Sequence, residues 1–276
     1  MHTTENMSAM QATSKEFSIE DWLGLSYFAT TGTGDRPYNE DCYGHAADGS
    51  VVTFVVSDGI GGQAGGATAS RMVVERVRQD ARSLSSDQML AGYRAIEQEM
   101  RLSQMQRPEY SRMGATVAEL RLDTARQTAL WGHFGDSRVY WFRDGEVMAV
   151  TQDHSVVMSL VSAGLISEAD AAHHPKKNVL LGAFGLASDI EPEVLADPVC
   201  VLDGDAFLLC TDGLWNGVTT QEMVGLLKTS NTVEQWVKAL EVSARAESAD
   251  DKDNYTILGV WVTSSENRTL QMPGTC

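Results

Sequence analysis

The segment 51–66, V-V-T-F-V-V-S-D-G-I-G-G-Q-A-G-G, constrains this chain more than any other. Its first six residues include five apolar ones, most of them β-branched, without polar alternation; such a strand is covered on both faces. The strand delivers Ser57, Asp58 and Gly59 at its end, followed by a glycine-rich turn and a helix from about residue 67. A carboxylate at the mouth of a buried strand has little water around it and needs a positive partner. The glycines let the backbone approach a ligand closely and expose its carbonyl and N–H groups. Taken alone, the stretch also fits a tight strand-to-helix turn carrying a solvated aspartate.

The 276 residues are enough for one large domain or two small ones with a real core, and 43% apolar content argues against global disorder. No apolar run is long enough to span a bilayer, and residues 1–20 are polar, without a signal peptide. The 38 acidic against 21 basic residues give a formal charge of −17, which argues against nucleic acid or an anionic membrane as the main partner. Cys42, Cys200, Cys210 and Cys276 form no C-x-x-C pair and suit reduced thiols in a cytoplasmic protein. None is followed by the glycine-rich, arginine-ending loop of a cysteine-based phosphatase.

Along the chain, residues 1–17 read as a flexible tail, 18–263 as one folded domain and 264–276 as a second flexible tail. Asp48-Gly49 marks a hairpin turn, and two helical patterns follow the Asp58 strand, the second opened by Ser85 and Gln88. From Met113 to Thr151 the period is that of strands and reads as an antiparallel meander. Ala206 to Cys210 is a second buried strand, and Thr211-Asp212-Gly213 at its end echoes Ser57-Asp58-Gly59. Thr219 with Glu222 and Asn231 with Glu234 read as capping boxes, and a closing strand runs from Tyr255 to Val262. His173, His174, Lys176 and Lys177 make the most basic patch, suited to an acidic or phosphorylated partner rather than a metal.

Asp41, Asp58, Asp136, Asp212 and Asp253 each border a strand-like run. Carboxylates gathered at one end of a sheet repel and raise one another's pKa unless cations neutralise them. Oxygen donors without His or Cys point to Mg²⁺ or Mn²⁺. Two such ions about 3.5–4 Å apart, bridged by Asp58, would yield hydroxide near neutral pH. Arg36 offers the planar fork that matches two phosphate oxygens.

R-x-x-N-E-D at 36–41, S-D-G-I-G-G at 57–62, G-A-T at 114–116, G-D-S-R at 135–138, D-H-S at 153–155, T-D-G-L at 211–214 and D-N at 253–254 occur in register over nearly the whole folded chain. Their order and spacing resemble the metal-dependent Ser/Thr protein phosphatases of the type 2C (PPM) family, in the compact form of its small bacterial members. The resemblance implies an α+β fold, a four-layer α-β-β-α sandwich of two antiparallel sheets flanked by helices. It implies that Asp58 bridges two cations and the Gly59 carbonyl binds the first, with Asp41, Asp212 and Asp253 completing the second. Asp136 with Asp212 would hold a weaker third ion, Arg36 the substrate phosphate, with Glu40 and Asn254 supporting them from behind. Ile60 stands where some members carry a histidine proposed as general acid, so water on the third ion, the favoured source, or His154 would have to supply the proton. The segment 165–190 matches the variable flap over the site.

The resulting expectation is a monomeric, cytoplasmic Mn²⁺- or Mg²⁺-dependent phosphatase attacking phosphoserine and phosphothreonine with hydroxide held between two ions. Its substrates would be proteins phosphorylated by a cognate Ser/Thr kinase, a regulator of secretion machinery among the candidates. The competing readings are a non-catalytic phosphatase-fold regulator that binds phosphoproteins, and a calcium-binding protein using Asp203 and Asp205 or Asp250, Asp251 and Asp253. Neither acidic run has the twelve-residue loop and closing glutamate of an EF-hand.

Overall fold

The computed structural model describes residues 13–17, 24–62, 65–172, 174–246 and 252–263. The first half of the chain forms β1 (Thr13–Phe17), β2 (Gly24–Gly32), β3 (Cys42–Asp48), β4 (Val51–Ser57), β5 (Gly59–Ile60), α1 (Gly65–Gln79) and α2 (Ser86–Gln106). Then come β6 (Gly114–Ala115), β7 (Val117–Asp123), β8 (Thr128–Phe134), β9 (Arg138–Arg143), β10 (Glu146–Val150), α3 (Val156–Ser162) and α4 (Glu168–Ala172). The rest is β11 (Glu193–Val194), β12 (Val199–Cys200), β13 (Ala206–Cys210), α5 (Asp212–Trp215), α6 (Thr220–Thr229), α7 (Val233–Ala246) and β14 (Tyr255–Thr263).

Two antiparallel sheets stack face to face. One runs β1-β2-β14-β13-β9-β10 and the other β11-β8-β7-β4-β3, with β12 also on β8. Strand β4 is buried throughout because it has no solvent side. Val52, Phe54 and Val56 face the other sheet, meeting Phe207, Leu209, Leu258 and Val260. Val55 points the opposite way, under the α1 and α2 residues Val73, Val77, Met89 and Ile96. On the far side, Trp236, Val237 and Leu240 of α7 cover Phe28, Leu208 and Ile257 of the first sheet. Three apolar layers between four structural ones give the α-β-β-α order that the resemblance implied.

Three local expectations change. Thr13–Phe17 is not tail: it pairs with β2 from Thr13↔Ala29 to Phe17↔Leu25. An edge strand is held by main-chain bonds and needs no apolar alternation, so the pattern did not reveal it. The stretch from Met113 to Thr151 is not one meander, because β8 and β9 lie in different sheets. The chain changes sheet at Gly135, whose φ of +104° suits only glycine. A Cβ there would also sit 2.6 Å from Thr116 Cγ2. Finally, α7 is capped one residue later than expected: Thr232 Oγ1 accepts from the Gln235 N–H and Gln235 Oε1 from the Asn231 N–H. Thr219 and Glu222 do form a reciprocal capping box. Residues 1–12, 18–23 and 264–276, and His173 of the basic patch, lie outside the described residues.

Candidate active site

Strand register brings the sequence-predicted acids together. Cys42 pairs with Ser57 at the end of the β3–β4 ladder, so Asp41 and Asp58 leave the second sheet side by side. In the first sheet Cys210 lies opposite both Ile257 and Arg138. Asp212, Asp253 and Asp136 each sit a few residues beyond that row, at the same end of the sandwich. Asp58, Asp136, Asp212 and Asp253 line one cleft of about 640 Å³, with Arg36, Glu40, Gly59 and Asn254. Asp41 stands just behind the wall. Its Oδ2 accepts from the hydroxyls of Thr211 at 2.9 Å and Thr256 at 2.8 Å.

The cluster is electrostatically costly as a set of bare carboxylates. Burial raises the pKa of Asp41 to about 7, the hydroxyls of Thr256 and Thr211 opposing and Asp212 and Asp253 adding to the rise. Burial, then Asp253 and Asp153, raise Asp212 to about 7 as well. Asp58 is held well above the ordinary carboxylate range by burial and by all four of the other aspartates. Asp136 is raised by burial, Asp212 and Asp153, with Arg138 opposing. Asp41 Oδ1, Asp212 Oδ1 and Glu40 Oε1 are buried without a hydrogen-bond partner. Buried acceptors without donors, all oxygen and all anionic, are what a hard divalent cation requires. The donor set therefore fits Mn²⁺ or Mg²⁺.

The mouth of the cleft is more open. Arg36 Nη2 lies 3.3 Å from Asp253 Oδ2, the two side chains 43% and 45% exposed, so the guanidinium is accessible to a ligand. Asn254 organises the turn: its Oδ1 accepts from the Glu40 N–H at 2.7 Å, and its Nδ2 donates to the carbonyls of Thr33 and Tyr38, both at 2.9 Å. Asn178, Val179 and Leu180, within the expected flap, form part of the cleft wall. His174 serves its own loop, its Nδ1 accepting from the Lys176 N–H.

His154 does not reach this cleft. Its Nδ1 accepts from the Gly135 N–H at 3.1 Å, and its ring stacks on His133 at 4.6 Å. Its Nε2 faces Glu193 Oε1 at 3.5 Å. Burial lowers its pKa. An accepting Nδ1 places the proton of the neutral ring on Nε2, which also disfavours a metal shared by His133, His154 and Glu193, although these donors lie within 4.8 Å of one another.

Sequence reasoning missed the groups that aim the acids. The Asp58 N–H donates to Thr116 Oγ1 at 2.9 Å, and Thr116 Oγ1 shares a 2.6 Å hydrogen bond with Ser137 Oγ. Trp215 Nε1 donates to the Asp136 carbonyl at 2.9 Å. The Trp215 ring is covered by the Arg138 guanidinium at 3.7 Å, and Arg138 is fixed by two 2.7 Å bonds to Asp153. The motifs G-A-T, G-D-S-R and D-H-S pointed to these positions without giving the contacts.

A family model described as "Protein phosphatase 2C" matches residues 35–252. The chain belongs to the protein phosphatase 2C family. The serine/threonine phosphatase stp of Listeria monocytogenes is 31% identical over 233 residues, covering 81% of this chain and 90% of that protein. Among solved structures, the catalytic domain of the phosphatase PstP in complex with two manganese ions superposes with a TM-score of 0.73 at 26% identity, covering 88% of this chain and 100% of that one. PppA of Pseudomonas aeruginosa, described as a key regulatory component of T6SS, gives a TM-score of 0.70 at 28% identity, over 86% and 97%. The fold and enzyme class read from the seven motifs are thus those of this 2C-type phosphatase, and all five cluster acids of the sequence reading are present, which disfavours a non-catalytic regulator.

Proposed function

We propose that the protein hydrolyses phosphoserine and phosphothreonine in proteins, using two Mn²⁺ or Mg²⁺ ions with a weaker third. The observation that carries this reading is the meeting of five strand-end aspartates, with buried unpartnered oxygens, beside an accessible guanidinium. Asp41, Asp58, Asp136, Asp212, Asp253 and the Gly59 carbonyl would hold the ions. When bound, the ions would neutralise the carboxylates and phosphoryl oxygens and lower the pKa of water. Arg36 binds and orients the phosphate through its planar fork. Glu40 and Asn254 keep the Asp253 turn in place. The described residues lining the cleft include no Ser, Cys or His, so water, rather than a side chain of those types, attacks phosphorus and no phosphoenzyme forms on them. With Ile60 on the cleft wall and His154 turned away, the proton for the departing serine or threonine oxygen comes from water in the cleft.

The substrates are targets of a cognate Ser/Thr kinase, and the similarity to PppA supports a regulator of secretion machinery among them. Among the described residues no helix is long and apolar enough to cross a membrane. The unpaired thiols of Cys42, Cys200 and Cys210 support a reducing cytoplasm. The test is phosphate release from a phosphothreonine peptide with Mn²⁺, repeated with EDTA and with Asp58→Asn. Loss in both is expected, and undiminished turnover in EDTA overturns the reading.

A further inference from the structure

Asp136 and Asp212, the two acids assigned to the weaker third ion, are related by strand register. Strands β9 and β13 pair as far as Arg138 opposite Cys210, where both end. Asp136 lies two residues before Arg138 and Asp212 two residues after Cys210. Two further rows of the antiparallel ladder would therefore set the acids opposite each other. The ladder stops short of them, so its hydrogen bonds do not fix their spacing. The chain turns instead into α5, which carries Asp212 as its first residue and Trp215 as its last.

One side chain spans the gap. Trp215 leaves the same helical turn as Asp212, and its Nε1 donates to the main-chain carbonyl of Asp136 at 2.9 Å. The Asn216 N–H closes that turn on the Asp212 carbonyl at 2.9 Å, and Asn216 Nδ2 donates to Asp212 Oδ2 at 3.1 Å. Asp212 Oδ1 is left buried and unpartnered, as a ligand oxygen would be. The indole is itself held. The Arg138 guanidinium covers its ring at 3.7 Å, fixed by two 2.7 Å bonds to Asp153 and by Nη1 donating to the Tyr140 hydroxyl at 3.0 Å. Neither Trp215 nor Arg138 lines the cleft, so both act through the acids.

We propose that Trp215 is a positioning residue: it holds Asp136 and Asp212 at the separation the weaker third ion requires, with Arg138 and Asp153 keeping the indole in place. The proposal rests on the three-ion reading above. Groups that aim a ligand set the affinity of the ion, and losing one typically weakens binding about 10–100-fold. The other acids are aimed by other groups, Asp41 by Thr211 and Thr256, and Asp58 by Thr116 at its N–H. Asp212 serves more than one ion, but its turn persists through Asn216. Loss of the indole N–H therefore displaces Asp136 and reaches the weaker ion first.

Trp215→Phe keeps a flat ring under Arg138 and removes the N–H, and unfolding curves will check that the fold persists. Calorimetric Mn²⁺ titration should show the weaker ion bound about tenfold or more less tightly, with the tighter pair within about twofold of wild type. On a phosphothreonine peptide, kcat should fall at limiting Mn²⁺ and recover at saturating Mn²⁺, with KM unchanged. Arg138→Lys keeps a charge for Asp153 without the flat cover over the ring, and should shift the same ion in the same direction. Because Trp215 bonds the Asp136 main chain, Asp136→Asn leaves that bond intact and closes a double-mutant cycle. The double variant Trp215→Phe with Asp136→Asn should bind Mn²⁺ no more weakly than Asp136→Asn alone. An unchanged weaker ion, equal weakening of all three, or additive losses overturn the proposal. A wild type that binds only two ions removes the third-ion reading and this inference with it. A wild type that binds its ions yet releases no phosphate removes the phosphatase reading instead, and with it the positioning role in that reaction.

Discussion

Without metal, Asp212 works against the fold, and Asp212→Asn should make the metal-free protein more stable above neutral pH. Asp212 is buried, its Oδ1 has no partner, and its pKa is raised from 3.8 to about 7 by burial and by Asp253 and Asp153. A folded-state pKa above the unfolded one means the folded protein holds the proton more tightly. The associated stability is complete below about pH 4 and is lost as pH rises through about 7. Three pKa units at about 1.4 kcal/mol each give about 4 kcal/mol. That figure is a ceiling, because Asp58 and Asp41 compete for the same protons. Asparagine matches the volume, stays neutral at every pH and keeps an oxygen for the 3.1 Å bond from Asn216 Nδ2.

Thermal unfolding in EDTA from pH 5 to pH 8 measures this. At about 2–4 °C per kcal/mol for a chain of this size, the variant should melt up to roughly 8–16 °C above wild type at pH 8. At pH 5 the gap should fall to less than half, since most of the wild-type carboxyl is then protonated in the folded state only. Saturating Mn²⁺ should reverse the order, because the carboxylate becomes a ligand. A gap that is absent at pH 8, or equal at both pH values, refutes the reasoning.

Arg36→Ala should raise KM for a phosphothreonine peptide by about tenfold or more, through loss of a charge-assisted contact. Calorimetric Mn²⁺ affinity should hold, and its collapse would make the Asp253 ion pair the residue's role instead. Gly213→Ala would put a methyl 2.1 Å from the Asn254 carbonyl oxygen. A cost of about 3 kcal/mol and a Tm fall of about 6–12 °C are expected; an unchanged Tm would mean that α5 shifts freely. His154→Gln should leave kcat and the acid limb of the pH–rate profile within about threefold of wild type, whereas a loss of about 10²–10⁴ would restore it as proton donor.

The five acids were legible because each borders a strand-like run, Asp58, Asp136 and Asp212 after one and Asp41 and Asp253 before one, and a charge in that position marks a strand end. Their convergence was legible only through the seven motifs, since register depends on partners far away: Cys42 on Ser57, Cys210 on Ile257 and Arg138. Between Phe134 and Arg138 the local pattern suggests a bulge or turn within one sheet. The change of sheet is set by how Gly135 packs against Thr116, a contact 19 residues away. Thr256 left no signal, because a hydroxyl inside a strand reads as β-propensity until its donation to Asp41 is seen. His154 misled for the opposite reason: it follows Asp153 in a motif, yet its ring turns toward Gly135 and Glu193.

The repeated hydroxyl-Asp-Gly triplet has one physical explanation at both of its sites. The hydroxyl ties the strand end to a neighbour: Ser57 Oγ donates to the Thr116 carbonyl at 2.6 Å, and Thr211 Oγ1 to Asp41 while accepting from the Thr256 N–H. The glycine then lets the chain pass against another backbone. A Cβ on Gly59 would lie 2.3 Å from the Gly66 carbonyl oxygen, and one on Gly213 2.1 Å from that of Asn254. Between them the aspartate projects off the end of its sheet. Since β4 belongs to one sheet and β13 to the other, Asp58 and Asp212 meet only when the sandwich closes. The Thr211–Asp41 bond crosses the same boundary, because Thr211 follows β13 and Asp41 precedes β3. On the proposed reading, cation binding by these acids would draw the two sheets together at the edge where their mutual repulsion would otherwise part them.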